Sequence, residues 1–541
     1  MSDWWKGAVI YQIYPRSFCD LNNDGVGDLK GITSKLDYVA SLGVDGIWLS
    51  PIFTSPMHDH GYDVADYRDI DPVFGTLQDF DAMVSKAHSL GLKIVIDQVY
   101  SHTSDEHAWF EESRQSRDNP KADWYVWADP KPDGSAPNNW QAVFGGISWE
   151  WETKRQQYYL HNFVKQQPDL NFHCEAVQEA ILDTARFWLD RGVDGFRLDV
   201  VNLYFHHKDL LDNPPSTTSG PLMLGSDNPT RPYAYQAHKY DHTQPENIPF
   251  IERLRAVTDS YGSRFMVGEL GAPFETLVEY TQGQHRLHTC YSFPFLITSE
   301  LDAEMVQRVL QPWNEVDAWP SWSFSNHDVK RAVSRYSREG NPTFAKMLIA
   351  LLVCMRGTAF MYQGEELGLV QADVPFELMQ DPAAVNSKEP HRSRDGCRTP
   401  MVWTKGAPQS GFSATTPWLP IDPRHDEVAV DQQDKDPASI LNFTRNVLNL
   451  RKQHPALKAG TLSFIDVRND LIVFEREHQG QKLLCGFNPT EATLSYDLGD
   501  TVELLELGLG ARIADGKVTL APFEAFIAMI KPPVHCHPAT S

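Results

Sequence analysis

The chain has 541 residues and a formal net charge of −24: long enough for about two or three domains, too acidic to favour nucleic acid or an anionic membrane. No apolar run is long enough to span a bilayer, and Met1-Ser-Asp-Trp-Trp-Lys6 lacks the charged-then-apolar order of a signal peptide. Seven scattered cysteines suit reduced thiols, so composition points to a cytoplasmic protein with a neutral small-molecule partner and leaves the oligomeric state open.

From the N-terminus to about residue 366, β-rich runs alternate with helical patterns. Strands are predicted at Val9–Tyr14, Gly46–Ser50, Lys93–Asp97, Gly195–Asp199, Phe265–Glu269, Cys290–Phe293, Trp322–Ser325 and Ala359–Tyr362. Between them, Val177, Ile181, Ala185, Trp188 and Leu189 make one apolar stripe of a helix over Glu175–Arg191, and Phe344–Cys354 is apolar nearly all round. Repeated strand–helix alternation predicts an α/β fold, a (β/α)8 TIM barrel of parallel strands.

The gap from His102 to Asn171 is rich in Trp, Pro, Asp and Asn and too long for a structureless loop, which predicts a small inserted domain after the third strand. Leu203–Asn247, also long and rich in Pro and Asp, is expected to form a lid. After Ala459, short alternating runs with turn signals predict a C-terminal antiparallel β-sandwich. The expected domains are therefore 1–102 and 172–459 for the barrel, 103–171 for the insert and 460–541 for the sandwich. The tail carries His535-Cys-His537 among prolines, expected to be a frayed terminus rather than a metal site.

The first loop, Asp20-Leu-Asn-Asn-Asp-Gly-Val-Gly-Asp28, places side-chain oxygens at alternate positions around a turn glycine. Asp20, Asn22, Asp24, Asp28 and the Val26 carbonyl are spaced like the ligands of an EF-hand loop, although Gly31 stands where the bidentate Glu would be. This predicts a structural divalent cation, Ca2+, with no organic cofactor.

Three short apolar runs each lead to an acid: Gly195-Phe-Arg-Leu-Asp199, Phe265-Met-Val-Gly-Glu269 and Phe324-Ser-Asn-His-Asp328. An acid at the C-terminal end of a barrel strand sits where loops and ligands meet. Together with Asp97-Gln-Val-Tyr-Ser-His102, Gln167-Pro-Asp-Leu-Asn171 and Gly357-Thr-Ala-Phe-Met-Tyr-Gln-Gly-Glu365, these motifs resemble, in order, those of the α-amylase family of glycoside hydrolases. Gln167–Asn171, the Asp20–Asp28 loop and Arg398-Thr-Pro-Met are similar to its oligo-1,6-glucosidase and α-glucosidase branch.

The resemblance implies a retaining, exo-acting α-glucosidase on short oligosaccharides, with Asp199 as nucleophile, Glu269 as acid–base and Asp328 gripping sugar hydroxyls. It further implies Arg197 beside Asp199, His102 and His327 as sugar-binding histidines, Tyr62 as a stacking platform and Phe144 at the entrance. Asp59 and Arg398 are expected to form the pair that closes the pocket, with Arg394 the competing arginine. Where family members carry Asn just before the third-strand His, this chain has Ser101, so no calcium is expected between barrel and insert.

Val200 resembles α-1,6-acting members, whereas Val200-Val-Asn202 and Gln167–Phe172 also resemble α-1,4-preferring enzymes that transfer glucose. The expectation is α-1,4 disaccharides with transglucosylation. Alternatives are an oligo-1,6-glucosidase, or a sucrose or maltose isomerase or glucosyltransferase. Non-catalytic heavy chains of amino-acid transporters share the fold, but they carry a membrane helix and lack a full catalytic set.

Overall fold

The computed structural model describes residues 3–217, 232–291, 293–466, 470–498 and 502–531. The His535-Cys-His537 tail and part of the expected lid lie outside these residues.

Eight parallel strands form the core sheet: β1 (Val9–Ile13), β2 (Gly46–Leu49), β3 (Lys93–Gln98), β4 (Gly195–Leu198), β5 (Phe265–Gly268), β6 (Thr289–Cys290), β7 (Ser321–Ser323) and β8 (Thr358–Tyr362). Neighbours pair from β6 through β5, β4, β3, β2, β1 and β8 to β7. A parallel bridge from Tyr291 to Ser321 closes the ring. All eight strands overlap the runs expected from sequence, and the clearest of them, such as Val9–Ile13 and Thr358–Tyr362, are buried on both faces, as a helix-clad parallel barrel requires. Boundaries differ at the sixth and seventh strands: Thr289–Cys290 shares only Cys290 with the expected Cys290–Phe293, and Ser321–Ser323 replaces Trp322–Ser325. β7 stops at Ser323, so Asp328 lies in a turn beyond the strand rather than at its end.

Among the helices that pack outside the barrel are the two read from sequence. One spans Glu175–Asp190 and buries Val177, Ile181, Ala185, Trp188 and Leu189, the stripe read from sequence. The other, Pro342–Cys354, begins on proline with an Asn341 side-chain cap and is buried almost throughout.

The segment between β3 and the Glu175 helix holds a three-stranded antiparallel sheet of Trp127–Ala128, Gln157–Leu160 and Trp149–Glu152. It has an apolar cluster of its own around Trp140 and Trp149. A bridge from His102 to Asp169 and the Leu170 N–H on the Ser101 carbonyl tie it to the loop after β3. Beyond residue 460, a five-stranded and a three-stranded antiparallel sheet face each other across Val473, Leu484, Val518, Leu520 and Phe526.

Two buried arginines bond to backbone carbonyls rather than carboxylates: Arg451 within the barrel, and Arg476 from the C-terminal sheet to the barrel. Arg451 donates to the carbonyls of Gly7, Val353 and Gly357, and Arg476 to those of Cys354, Gly460 and Thr461. Three of these six carbonyls, those of Val353, Cys354 and Gly357, lie at or just past the end of the Pro342–Cys354 helix, where the helix dipole is negative. Burial lowers both guanidinium pKa values, to about 10 for Arg451 and about 9 for Arg476, which leaves both charged at neutral pH.

Candidate active site

Asp199 and Glu269 follow directly on β4 and β5, and the strand register sets Arg197 beside Asp97 on β3 and Val267 on β5. Arg197 and Asp199, two residues apart, leave the strand on the same face. The buried Arg197 guanidinium donates from Nη1 to Asp97 Oδ1 (2.8 Å) and Asp199 Oδ1 (2.6 Å), and from Nη2 to Glu269 Oε2 (2.6 Å). The Asp199 and Glu269 carboxyls thus converge on one guanidinium, as the closely spaced pair of a retaining glycosidase must.

Three carboxylates share one cation, so the site retains a proton. Burial pushes Glu269 up to about 8 and Asp199 to about 7, with Arg197 opposing the rise in both. Asp97 is pushed to about 6 by burial, again against Arg197. The proton therefore rests first on Glu269, which suits an acid beside an ionised nucleophile. Val200, a β-branched residue at φ +35°, turns its N–H toward Glu269 Oε2 at 3.2 Å. Such a conformation is held only where the surroundings enforce it.

A chain of hydrogen bonds orients the wall beside these acids. Gln12 Nε2 donates to His327 Nδ1 (2.8 Å), so His327 Nε2 carries the proton and faces the Tyr62 hydroxyl (2.6 Å), which donates to Asp97 (3.0 Å). Burial lowers His327 to about 3 and His102 to about 4, which keeps both rings neutral. His102 takes the Ser101 hydroxyl on Nδ1 and gives its Nε2 proton to the Tyr62 carbonyl. The Ser101 side chain, where family members have Asn, is thus engaged on His102.

The far end of the pocket is a second charge cluster. Arg394 donates to Asp59 Oδ1 (3.0 Å), Asp328 Oδ1 (3.0 Å) and the buried Asp381, and its guanidinium lies 5.1 Å from the centre of the Phe144 ring. This corrects the arginine preferred from sequence. Arg398 lies beneath, bound to Asp328 (2.9 Å) and the His327 carbonyl (2.7 Å), and Asp59 pairs with Arg394. The two arginines bracket a single short helical turn, Asp395–Arg398, so spacing alone does not separate them. Burial alone would raise Asp328, but His327, Arg394 and Arg398 hold it well below the usual carboxylate range. Asp59, with less compensation, is raised by burial to about 6.

These groups line one cavity of about 770 Å³, with Asp59, Tyr62, His102, Phe144, Asp199, Glu269 and Asp328 on its walls. Arg197, His327 and Arg398 are fully buried behind the wall and act by holding the residues that line it. Sequence reasoning passed over four contributors: Asp97 as the third carboxylate on Arg197, Gln12 on His327, Gln167 on Asp59, and Asp381 on Arg394. Gln12 carried a signal, a polar residue inside the apolar strand Val9–Ile13.

The Asp20–Asp28 loop does not line the cavity. Asp20 accepts the N–H of Asn23 and Gly25 and the Ser413 hydroxyl, and Asp28 caps the Leu29–Leu42 helix through Gly31 N. Gly25 has φ +93°, and a Cβ there would meet the Thr416 carbonyl, so the turn requires glycine. The donors are all oxygen, which suits a hard cation. Asp20, Asp24 and Asp28 are not all within 4.8 Å of one another, so an ion shared by them would draw the exposed Asp24 inward.

Residues 12–460 match the family model described as "Alpha amylase, catalytic domain". A probable α-glucosidase of Rhizobium meliloti is 49% identical over 98% of this chain and 97% of its own length. An oligo-1,6-glucosidase of Heyndrickxia coagulans is 38% identical over 97% of this chain and 99% of its own. A crystal structure of the α-glucosyl transfer enzyme XgtA superposes with a TM-score of 0.95 at 50% identity, covering 98% of this chain and all of that one. With the barrel, the paired acids and these relatives in agreement, the chain belongs to the α-amylase family of glycoside hydrolases.

Proposed function

We propose that the chain is a retaining exo-α-glucosidase that removes α-glucose from the non-reducing end of short α-glucosides, preferring α-1,4 disaccharides. The observation that carries this reading is the Arg197 guanidinium shared by Asp199 and Glu269 on the wall of a pocket whose far end Asp59 and Arg394 close. Asp199 attacks the anomeric carbon as Glu269 protonates the departing glycosidic oxygen, and the C–O bond breaks to leave a glucosyl ester. Glu269, now ionised, takes a proton from water, which attacks the same carbon; two inversions restore the α configuration. A sugar hydroxyl in place of water gives transglucosylation. Asp328, kept ionised by two arginines, grips ring hydroxyls and strengthens its hold as positive charge develops on the ring.

The resemblance to an α-glucosyl transfer enzyme supports the transfer reaction, and the oligo-1,6-glucosidase relatives keep α-1,6 cleavage as the rival preference. The Asp20–Asp28 loop is proposed to hold a structural Ca2+ through Asp20, Asn22, Asp24, Asp28 and the Val26 carbonyl. A proton NMR time course on equal maltose and isomaltose tests the function. Faster loss of maltose with α-glucose appearing first is expected. Faster loss of isomaltose makes the chain an oligo-1,6-glucosidase, and decay of neither substrate overturns simple glucosidase action.

A further inference from the structure

Outside the active site, one cluster of side chains has the composition and convergence of a metal centre. His238, Asp241 and His242 place one ring nitrogen each and a carboxylate oxygen all within 4.8 Å of one another. No other group of three such residues converges this way among the described residues. From these observations we infer a site for a first-row divalent cation, Zn2+ or a close relative, on the loop that follows the nucleophile strand.

The hydrogen bonds around His238 favour ligation. Its Nε2 lies 2.8 Å from the Tyr233 carbonyl, which can only accept, so Nε2 carries the proton. That fixes Nδ1 as the atom that faces Asp241 Oδ2, at 2.6 Å. A backbone carbonyl on one ring nitrogen with the other turned to the ion is the usual arrangement of a metal-bound histidine. An ion bound at Nδ1 would take the place of the direct contact between His238 and Asp241. Asp241 is 2% exposed, yet its second oxygen, Oδ1, has no hydrogen-bond partner. A buried carboxylate oxygen left in this way is costly unless something else satisfies it. His242 stacks nearly parallel to His238, ring centres 5.5 Å apart, and is half-buried, so the site has a route to solvent. Two imidazoles and one carboxylate are a zinc-type set that leaves the fourth position to water.

The position suggests a bracing role. Thr243 N donates to the Asn202 carbonyl (2.7 Å), and Asn202 lines the cavity three residues after Asp199. At the other end, Gln236 Nε2 donates to the Asn139 carbonyl of the insert (2.6 Å). An ion on His238, Asp241 and His242 would cross-link the loop between these two anchors. The chemistry is nitrogen-based and borderline, unlike the oxygen-only Asp20–Asp28 loop.

The test is a Co2+ titration of the full chain after stripping with chelator, followed by displacement with Zn2+. One equivalent should give a visible d–d absorption band that Zn2+ abolishes, and Zn2+ should raise Tm. In His242→Ala the affinity should fall at least about tenfold, with Tm in chelator unchanged. A His535→Ala/His537→Ala variant should keep the band. If His242→Ala unfolds, His242→Gln carries the same comparison. An unchanged band in the His242 variants, loss of the band in the tail variant, or no band and no Zn2+ effect on Tm in the parent chain would each overturn the proposal.

Discussion

Replacing Glu269 by Gln should stabilise the protein while crippling it. Burial holds the Glu269 carboxyl near 8, against 4.5 in an unfolded chain. Between those values the folded state keeps a proton that the unfolded state has released, so stability falls as pH rises, by about 1.4 kcal/mol per unit. Over the whole window the upper bound is about 5 kcal/mol. Asp97 and Asp199 sit on the same guanidinium and take up part of the proton when Glu269 is gone, so the net gain at pH 8 is about 2–3 kcal/mol. In Gln the side chain is isosteric, and Arg197 keeps two carboxylates. Calorimetry at pH 5 and pH 8 should show Tm equal at the lower pH and raised by about 2–3 °C in the variant at the higher. Disaccharide turnover should drop by about 10²–10⁴, and turnover of an aryl glucoside with an acidic phenol by much less. Equal Tm values at pH 8, or a variant less stable at both pH values, would refute the reasoning that Glu269 is buried at a cost in stability.

The same groups predict a narrow bell for kcat/KM, rising as Asp199 ionises near 7 and falling as Glu269 loses its proton near 8; Glu269→Gln should lose the alkaline limb. Arg394→Lys should raise KM for disaccharides by about 10–100-fold, because a point charge cannot bridge Asp59, Asp328 and Asp381 as the planar guanidinium does; an unchanged KM would remove Arg394 from the pocket's closure. Arg476→Met leaves the carbonyls of Cys354, Gly460 and Thr461 without their donor, so urea unfolding should show a loss of about 2–4 kcal/mol with KM unaltered. Calcium at about a hundred times its Kd should stabilise the chain by about 3 kcal/mol, and Asp24→Ala should abolish that gain; a gain retained in the variant would place the ion elsewhere.

The barrel was legible because each strand is a local event. Runs such as Val9–Ile13 and Thr358–Tyr362 are buried on both faces and need no partner to be recognised. The acids were legible for the same reason: Asp199 and Glu269 terminate such runs directly. What failed was long-range. Arg394 and Arg398 occupy one turn, and only the folded chain shows that Asp59 reaches the first and the His327 carbonyl the second. Asp97 belonged to a recognised motif, but its place on Arg197 depends on the register between β3 and β4, which sequence does not contain. His238, Asp241 and His242 escaped notice because their convergence depends on backbone at φ +40° and +56°, at His238 and Thr243, which no periodicity announces.

The central claim is that Asp199 forms a covalent bond to glucose. A glucosyl donor with an excellent leaving group, mixed with Glu269→Gln, should accumulate the intermediate, because the second step then lacks its base. Intact-mass spectrometry should show the protein heavier by one glucosyl unit, and peptide mapping should place it on Asp199. Label on another residue, or no label in a variant that still turns the donor over with release of β-glucose, would contradict the account.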